Sequence, residues 1–168
     1  MNIFFLDWCP VKAAQYQCDK HVVKMVLESA QLLSTVYHVV QPPSCPIRNQ
    51  VYKATHVNHP CSKWARESGA NFDWLARHGI ALCEEYTFRY GKIHKCENLI
   101  RLMYFMQPGF DIILNEEISS PAQAMPLQYK RYNPVEAYRA YYIGEKAKFA
   151  KWVKGREAPD WWRKALAC

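Results

Sequence analysis

The chain has 168 residues, half of them apolar, and a formal charge of +7. That length suits one domain with a full hydrophobic core and gives no support for two. No run of eighteen apolar residues occurs, and the opening Met1-Asn2-Ile3-Phe4-Phe5-Leu6-Asp7 lacks the basic start and long apolar stretch of an export signal, so the expected compartment is the cytoplasm, with no membrane association.

A short apolar start precedes Pro10, which sits where a first helical residue belongs, and the pattern then runs without Gly or Pro to about Val40. One long helix is predicted there. Val22, Met25, Val26, Ser29, Leu32, Leu33 and Val36 recur at helical spacing as its buried stripe, and Gln17, His21, Lys24, Glu28, Gln31 and Thr35 lie along a neighbouring polar stripe. Gln41-Pro42-Pro43 ends it, and a loop runs to Asn58. A second helix is predicted to start near His59, to bend around Ser68-Gly69 and to stop at Gly91. A third covers roughly Cys96 to Met106. Residues 107–132 show no helical period, and Phe110 to Leu114 reads as an extended loop more than as a lone strand. Asn133, Pro134 and Glu136 form a capping signature that opens a last helix through about Trp152, followed by a terminal turn bearing Trp161 and Trp162. The expected fold is all-α: one domain over residues 1–168, with about four main helices and a long irregular loop before the last.

Seven cysteines, Cys9, Cys18, Cys45, Cys61, Cys83, Cys96 and Cys168, are odd in number and widely spaced, so reduced thiols are expected. A zinc site can be drawn from Cys18, His21, His56, His59 and Cys61, but its spacing fits no finger or ribbon pattern, and neither metal nor cofactor is expected. The charge is uneven. Residues 1–129 hold 12 Lys/Arg against 11 Asp/Glu, whereas residues 130–168 hold 10 against 4. There the cations are interleaved with Tyr138, Tyr141, Tyr142, Phe149, Trp152, Trp161 and Trp162, a composition that suits phosphate neutralisation beside stacking faces, or else a core with a solvated basic rim.

Three clusters carry candidate chemistry. Asp19, Lys20, His21, Lys24 and Glu28 fall within a few turns of the first long helix, and the helical period lets His21, Lys24 and Glu28 face one cleft. A carboxylate, an imidazole and an ammonium there can move protons or stabilise a cationic transition state; salt-linked side chains on a solvated face are the simpler alternative. His56, Asn58 and His59 crowd a helix start whose free N–H groups attract anions. Arg89 and Lys92 belong to a basic cluster at a helix end. The tract Met125 to Lys130 reads as a packed loop bordering a pocket.

Asp19-Lys20-His21 followed by Glu28, seven residues after the histidine, resembles the bacteriophage pyrimidine-dimer DNA glycosylases of the endonuclease V type, in which an Asp-x-His triplet precedes the catalytic glutamate by the same interval. Asn58-His59-Pro60 and Arg89-Tyr90-Gly91 are similar to further segments of that family, and the chain is also similar to proteins common in tailed phages, which would place it in the host cytoplasm. The resemblance covers roughly residues 1–95. It implies a DNA glycosylase with lyase activity on damaged pyrimidines, in which the chain's α-amine attacks C1′ of the sugar and the resulting imine undergoes β-elimination. Asn2 is bulky, so Met1 is expected to be retained as the nucleophile. Glu28 would stabilise the sugar cation, His21 would assist, and Asp19, Lys20, Lys24, His56, Asn58, His59, Arg89 and Lys92 would bind substrate. The family's arginines flanking the glutamate are replaced here by Leu27 and Gln31. DNA is the expected partner, with RNA or a free nucleotide as alternative substrates and a non-catalytic nucleic-acid-binding or host-interaction module as the alternative class.

Overall fold

The computed structural model describes residues 1–109 and 117–167, and among them it is all-helical, with seven α-helices and no strand. They are α1 (Pro10–Gln15), α2 (Asp19–Val40), α3 (Pro60–Ala65), α4 (Gly69–Tyr90), α5 (Glu97–Met106), α6 (Pro134–Lys146) and α7 (Asp160–Leu166). The segment expected to be extended at Phe110 to Leu114 lies outside the described residues. No helix of the described residues is long and apolar enough to cross a membrane.

α2 is the central rod. It packs on α4, which also receives α1 and α5, and α3 packs against α2 as well. All seven residues of the apolar stripe from Val22 to Val36 are buried, and a buried side chain of this size contributes roughly 1.5–3 kcal/mol. The polar stripe is not a solvated face. Gln17, His21, Glu28 and Thr35 are buried and bonded to other parts of the chain, and of the stripe only Lys24 is exposed.

The single helix predicted from Pro10 to Val40 is two helices, broken at Tyr16–Cys18. Tertiary hydrogen bonds replace the helical ones at this break. The Cys18 N–H donates to the Tyr142 hydroxyl (2.9 Å), the Asp19 N–H to the Lys151 carbonyl (2.9 Å), and the Arg89 guanidinium donates to the Gln15 and Gln17 carbonyls (2.9 and 2.8 Å). Likewise the bend at Ser68-Gly69 is a full break between α3 and α4, because the Ser68 hydroxyl caps α4 by accepting from the Asn71 N–H at 3.1 Å. Gly91 ends α4 as predicted, with a left-handed φ of 63° that glycine adopts without strain.

Asn133 caps α6, accepting from the Val135 and Glu136 N–H groups. α6 stops at Lys146 and not near Trp152. Beyond it, residues 151–153 are pinned against the start of α2, where Lys151 accepts from Asp19 and the Val153 N–H donates to Asp19 Oδ2 at 2.8 Å. Trp161 and Trp162 lie on a short helix, α7, which packs on α6. Much of the C-terminal aromatic set is core: Tyr138, Tyr142 and Trp162 are buried, Tyr142, Trp161 and Trp162 pack edge to face, and Trp152 packs tilted against Tyr142 and Trp162.

The first residues matter most for the site. Asn2 through Leu6 run buried through the core, as a continuous Ile-Phe-Phe-Leu run requires. The Asn2 side chain accepts from the N–H groups of Ile3 and Phe4, and Phe4 turns the chain at a φ of 55°. This turn is anchored by the Phe4 ring, stacked on His21 with centroids 4.5 Å apart.

Candidate active site

A cavity of about 390 Å³ opens where the chain's start meets α2 and α6. Met1, Asn2, His21, Lys24 and Glu28 form one side, and Tyr141, Lys146 and Phe149 come from the C-terminal third. Glu28, 9% exposed, is held by donors on both oxygens: the Asn2 backbone N–H reaches Oε2 at 2.8 Å, and Lys24 Nζ lies 3.2 Å from Oε1. The carboxylate therefore sits one residue from the α-amine of Met1. Lys24 is exposed and offers its charge at the mouth.

His21 lines this cavity as a buried imidazole. Burial, then Lys146, then Lys24, push its pKa down to about 3, so the ring is neutral. Its Nδ1 lies 2.7 Å from the Tyr142 hydroxyl, which already accepts from the Cys18 N–H and has its own proton to place. With Nδ1 accepting that proton, the ring's own proton stands on Nε2.

His59 caps α3, its Nδ1 accepting from the Cys61 N–H at 3.2 Å. Its pKa is lowered first by burial, then by the chain's α-ammonium and by His56, with Glu28 acting the other way. The α-amine, Glu28 and both histidines therefore share one electrostatic neighbourhood. His56 and Asn58 are exposed on the loop before α3, and His56 has a φ of 48°. Lys20 is exposed, with its ammonium 5.5 Å from the centroid of the cavity-lining Phe149 ring.

Asp19 and Arg89 are not part of this cavity. Asp19 begins α2 nine residues before Glu28, a helical rise of roughly 13 Å. The Arg89 side chain is 0% exposed, donating to Asp19 Oδ1 at 3.0 Å, to Glu85 at 3.0 Å and to two backbone carbonyls. Arg156 closes the other side of Glu85 at 2.6 Å. Every strong donor and acceptor of Asp19 and Arg89 is engaged internally, an arrangement that suits a structural role. Lys92 stays exposed just beyond the end of α4, in the same region as Arg89. Among the described residues, no group of three or more His, Cys, Asp or Glu side chains is placed to hold a metal.

Sequence reasoning did not single out Asn2, Phe4 or Lys146, and it treated Tyr141 and Phe149 only as members of a basic aromatic tail. The signal was the alternation of Lys with aromatic residues after residue 130. Ala124 borders the cavity, whereas no residue of the tract Met125 to Lys130 lines it. A larger cavity of about 800 Å³ lies between α1, α4 and α5, lined by Val11, Ile80, Tyr104 and Phe105 among others. Its walls are mainly apolar, and its charged members are paired, Glu84 with Arg101 at 3.5 Å and Arg77 with Asp73 at 2.8 Å, so fewer unpaired polar groups converge there than in the smaller site.

The family model described as pyrimidine dimer DNA glycosylase matches residues 1–98. The chain belongs to this family. No curated protein matches the chain, and no solved structure does. Membership makes this a DNA-repair glycosylase family member whose substrate is DNA, and the matched stretch contains the α-amine, His21, Lys24, Glu28, His56 and His59. The match ends in the first turn of α5, so the wall that Tyr141, Lys146 and Phe149 supply to this glycosylase lies beyond it.

Proposed function

We propose that the protein is a glycosylase with associated lyase activity that excises damaged pyrimidines through a Schiff base on its α-amine. The observation that carries this reading is the 2.8 Å hydrogen bond from the Asn2 N–H to Glu28 Oε2, which fixes the head of the chain against a buried carboxylate inside a cavity. An α-amine, with an ordinary pKa of ~8, is a better Schiff-base former at neutral pH than an ordinary lysine at ~10.4. Met1 is the proposed nucleophile. Glu28 stabilises the developing charge on the sugar and receives protons as the imine forms and β-elimination proceeds. His21 donates through Nε2–H to the sugar or an adjacent oxygen. Lys20, Lys24, His56, Asn58 and His59 are proposed to meet the phosphates around the cavity mouth, with Lys92 on a more distant part of the surface.

The test uses an ultraviolet-irradiated duplex and an abasic duplex, with strand nicking and borohydride trapping as readouts. The wild-type protein is expected to nick both and to form a covalent complex. Glu28→Gln keeps the hydrogen bond to Asn2 but loses the charge, and is expected to lower nicking by on the order of 100-fold or more while DNA binding persists. Absence of trapping on both duplexes would remove the Schiff-base chemistry.

A further inference from the structure

We propose that Lys146 is a further catalytic residue, whose ammonium stabilises the pyrimidine as it departs by donating a hydrogen bond to the base O2. This rests on the glycosylase/lyase reading above and adds the group that acts on the leaving base. Lys146 closes α6 and lines the same cavity as Met1, Asn2 and Glu28, although it comes from the part of the chain outside the family match.

Three features separate it from Lys24, the other lysine that lines the cavity. First, it makes no ion pair among the described residues, whereas Lys24 is matched to Glu28. Second, its position is fixed by aromatic groups: Nζ lies 4.7 Å from the Tyr141 ring centroid, 5.8 Å from that of Phe4, and 3.3 Å from the Tyr141 hydroxyl, to which it donates. Third, it is partly buried, while Lys20 and Lys24 are exposed. A partly desolvated cation without a counter-ion, held by ring faces, is arranged for negative charge that arises only during reaction. Phosphates carry their charge throughout and meet the protein at its exposed rim, where Lys20 and Lys24 stand. Tyr141 and Phe149, both partly exposed in the cavity, offer flat faces of the kind that an extrahelical base requires.

The step balances as follows. The neutral α-amine forms a bond to C1′, and the C1′–N1 bond breaks with its electron pair passing into the pyrimidine ring. The resulting anion is held at O2 by the Lys146 ammonium and then takes a proton from water. The proton lost by the attacking nitrogen passes to Glu28. The site thereby favours bases with a carbonyl oxygen next to the glycosidic nitrogen, which describes pyrimidines and not purines.

Lys146→Met and Lys146→Arg test this on the full chain with two substrates. An ultraviolet-irradiated thymine-run duplex requires base departure; a preformed abasic duplex does not. Lys146→Met is expected to slow base release by on the order of 100-fold and to lose no more than a few-fold in trapping at the abasic site, which also certifies that it folds. Lys146→Arg retains the cation and should recover most of the loss. Equal losses on both substrates would make Lys146 a phosphate contact, and no loss on either would make it a bystander; both outcomes overturn the proposal. Failure of the wild-type protein on both duplexes overturns the lyase reading and this inference with it.

Discussion

Replacing Arg89 by methionine isolates the buried charge cluster that ties α4 to the break between α1 and α2. The guanidinium is fully buried and donates to Asp19, Glu85, and the carbonyls of Gln15 and Gln17. Methionine fills much of the volume but leaves two nearly buried carboxylates short of a counter-charge and two carbonyls short of a donor. Asp19 keeps the Val153 N–H and Glu85 keeps Arg156, so the cluster is weakened and not emptied. Loss of one partner from a buried pair costs about 3–5 kcal/mol. In a domain of this length that is a fall of roughly 10 °C in melting temperature. Urea unfolding followed by far-ultraviolet circular dichroism gives the figure directly, with the midpoint falling and the slope unchanged. The exposed Arg163, paired with Glu157 and Asp160 on α7, serves as the comparison, and its alanine variant should melt with the wild type. A cost for Arg89→Met below about 1 kcal/mol would refute the structural role assigned here and return Arg89 to the substrate-binding set.

Two further outcomes concern stability. Burial pushes His21 down to about 3 and His78 to about 4, so below pH 6.5 the unfolded chain takes up two protons that the native state refuses. Stability is then full above pH 6.5 and falls toward acid by roughly 2 kcal/mol per pH unit between about pH 6 and 4.5, which equilibrium denaturation across that range measures; His21→Asn should roughly halve the slope. Gly144→Ala in α6 would ordinarily gain up to ~1 kcal/mol from helix propensity, but a Cβ there overlaps the Tyr129 ring, whose hydroxyl donates to Glu145 at 2.9 Å. A net destabilisation of about 1–2 kcal/mol is expected in thermal melts, and a stabilised variant would show that Tyr129 swings aside freely.

Local signals proved legible where local physics decides. The period of Val22 to Val36, the Asn133 cap and the Gly91 stop each act within a few residues, and each appears where the sequence places it. The break at Tyr16–Cys18 carries no local mark, because its hydrogen bonds come from Tyr142, Lys151 and Arg89. The same limit applies to the site. Helical spacing alone brings His21, Lys24 and Glu28 to one cleft, whereas Lys146 and Phe149 meet them only through long-range contacts such as that of Tyr142 with His21. The burial of Arg89 was not legible, because a cation at a helix end has the same sequence pattern whether it faces solvent or an internal carboxylate.

The central claim is that the head of the chain supplies the reacting nitrogen. Mass spectrometry of the borohydride-reduced complex, after digestion, locates the sugar on a single peptide. The account predicts the adduct on the α-amine of the peptide that begins at Met1, lost when that amine is blocked beforehand. An adduct on Lys24, Lys146 or any other side-chain amine would contradict it.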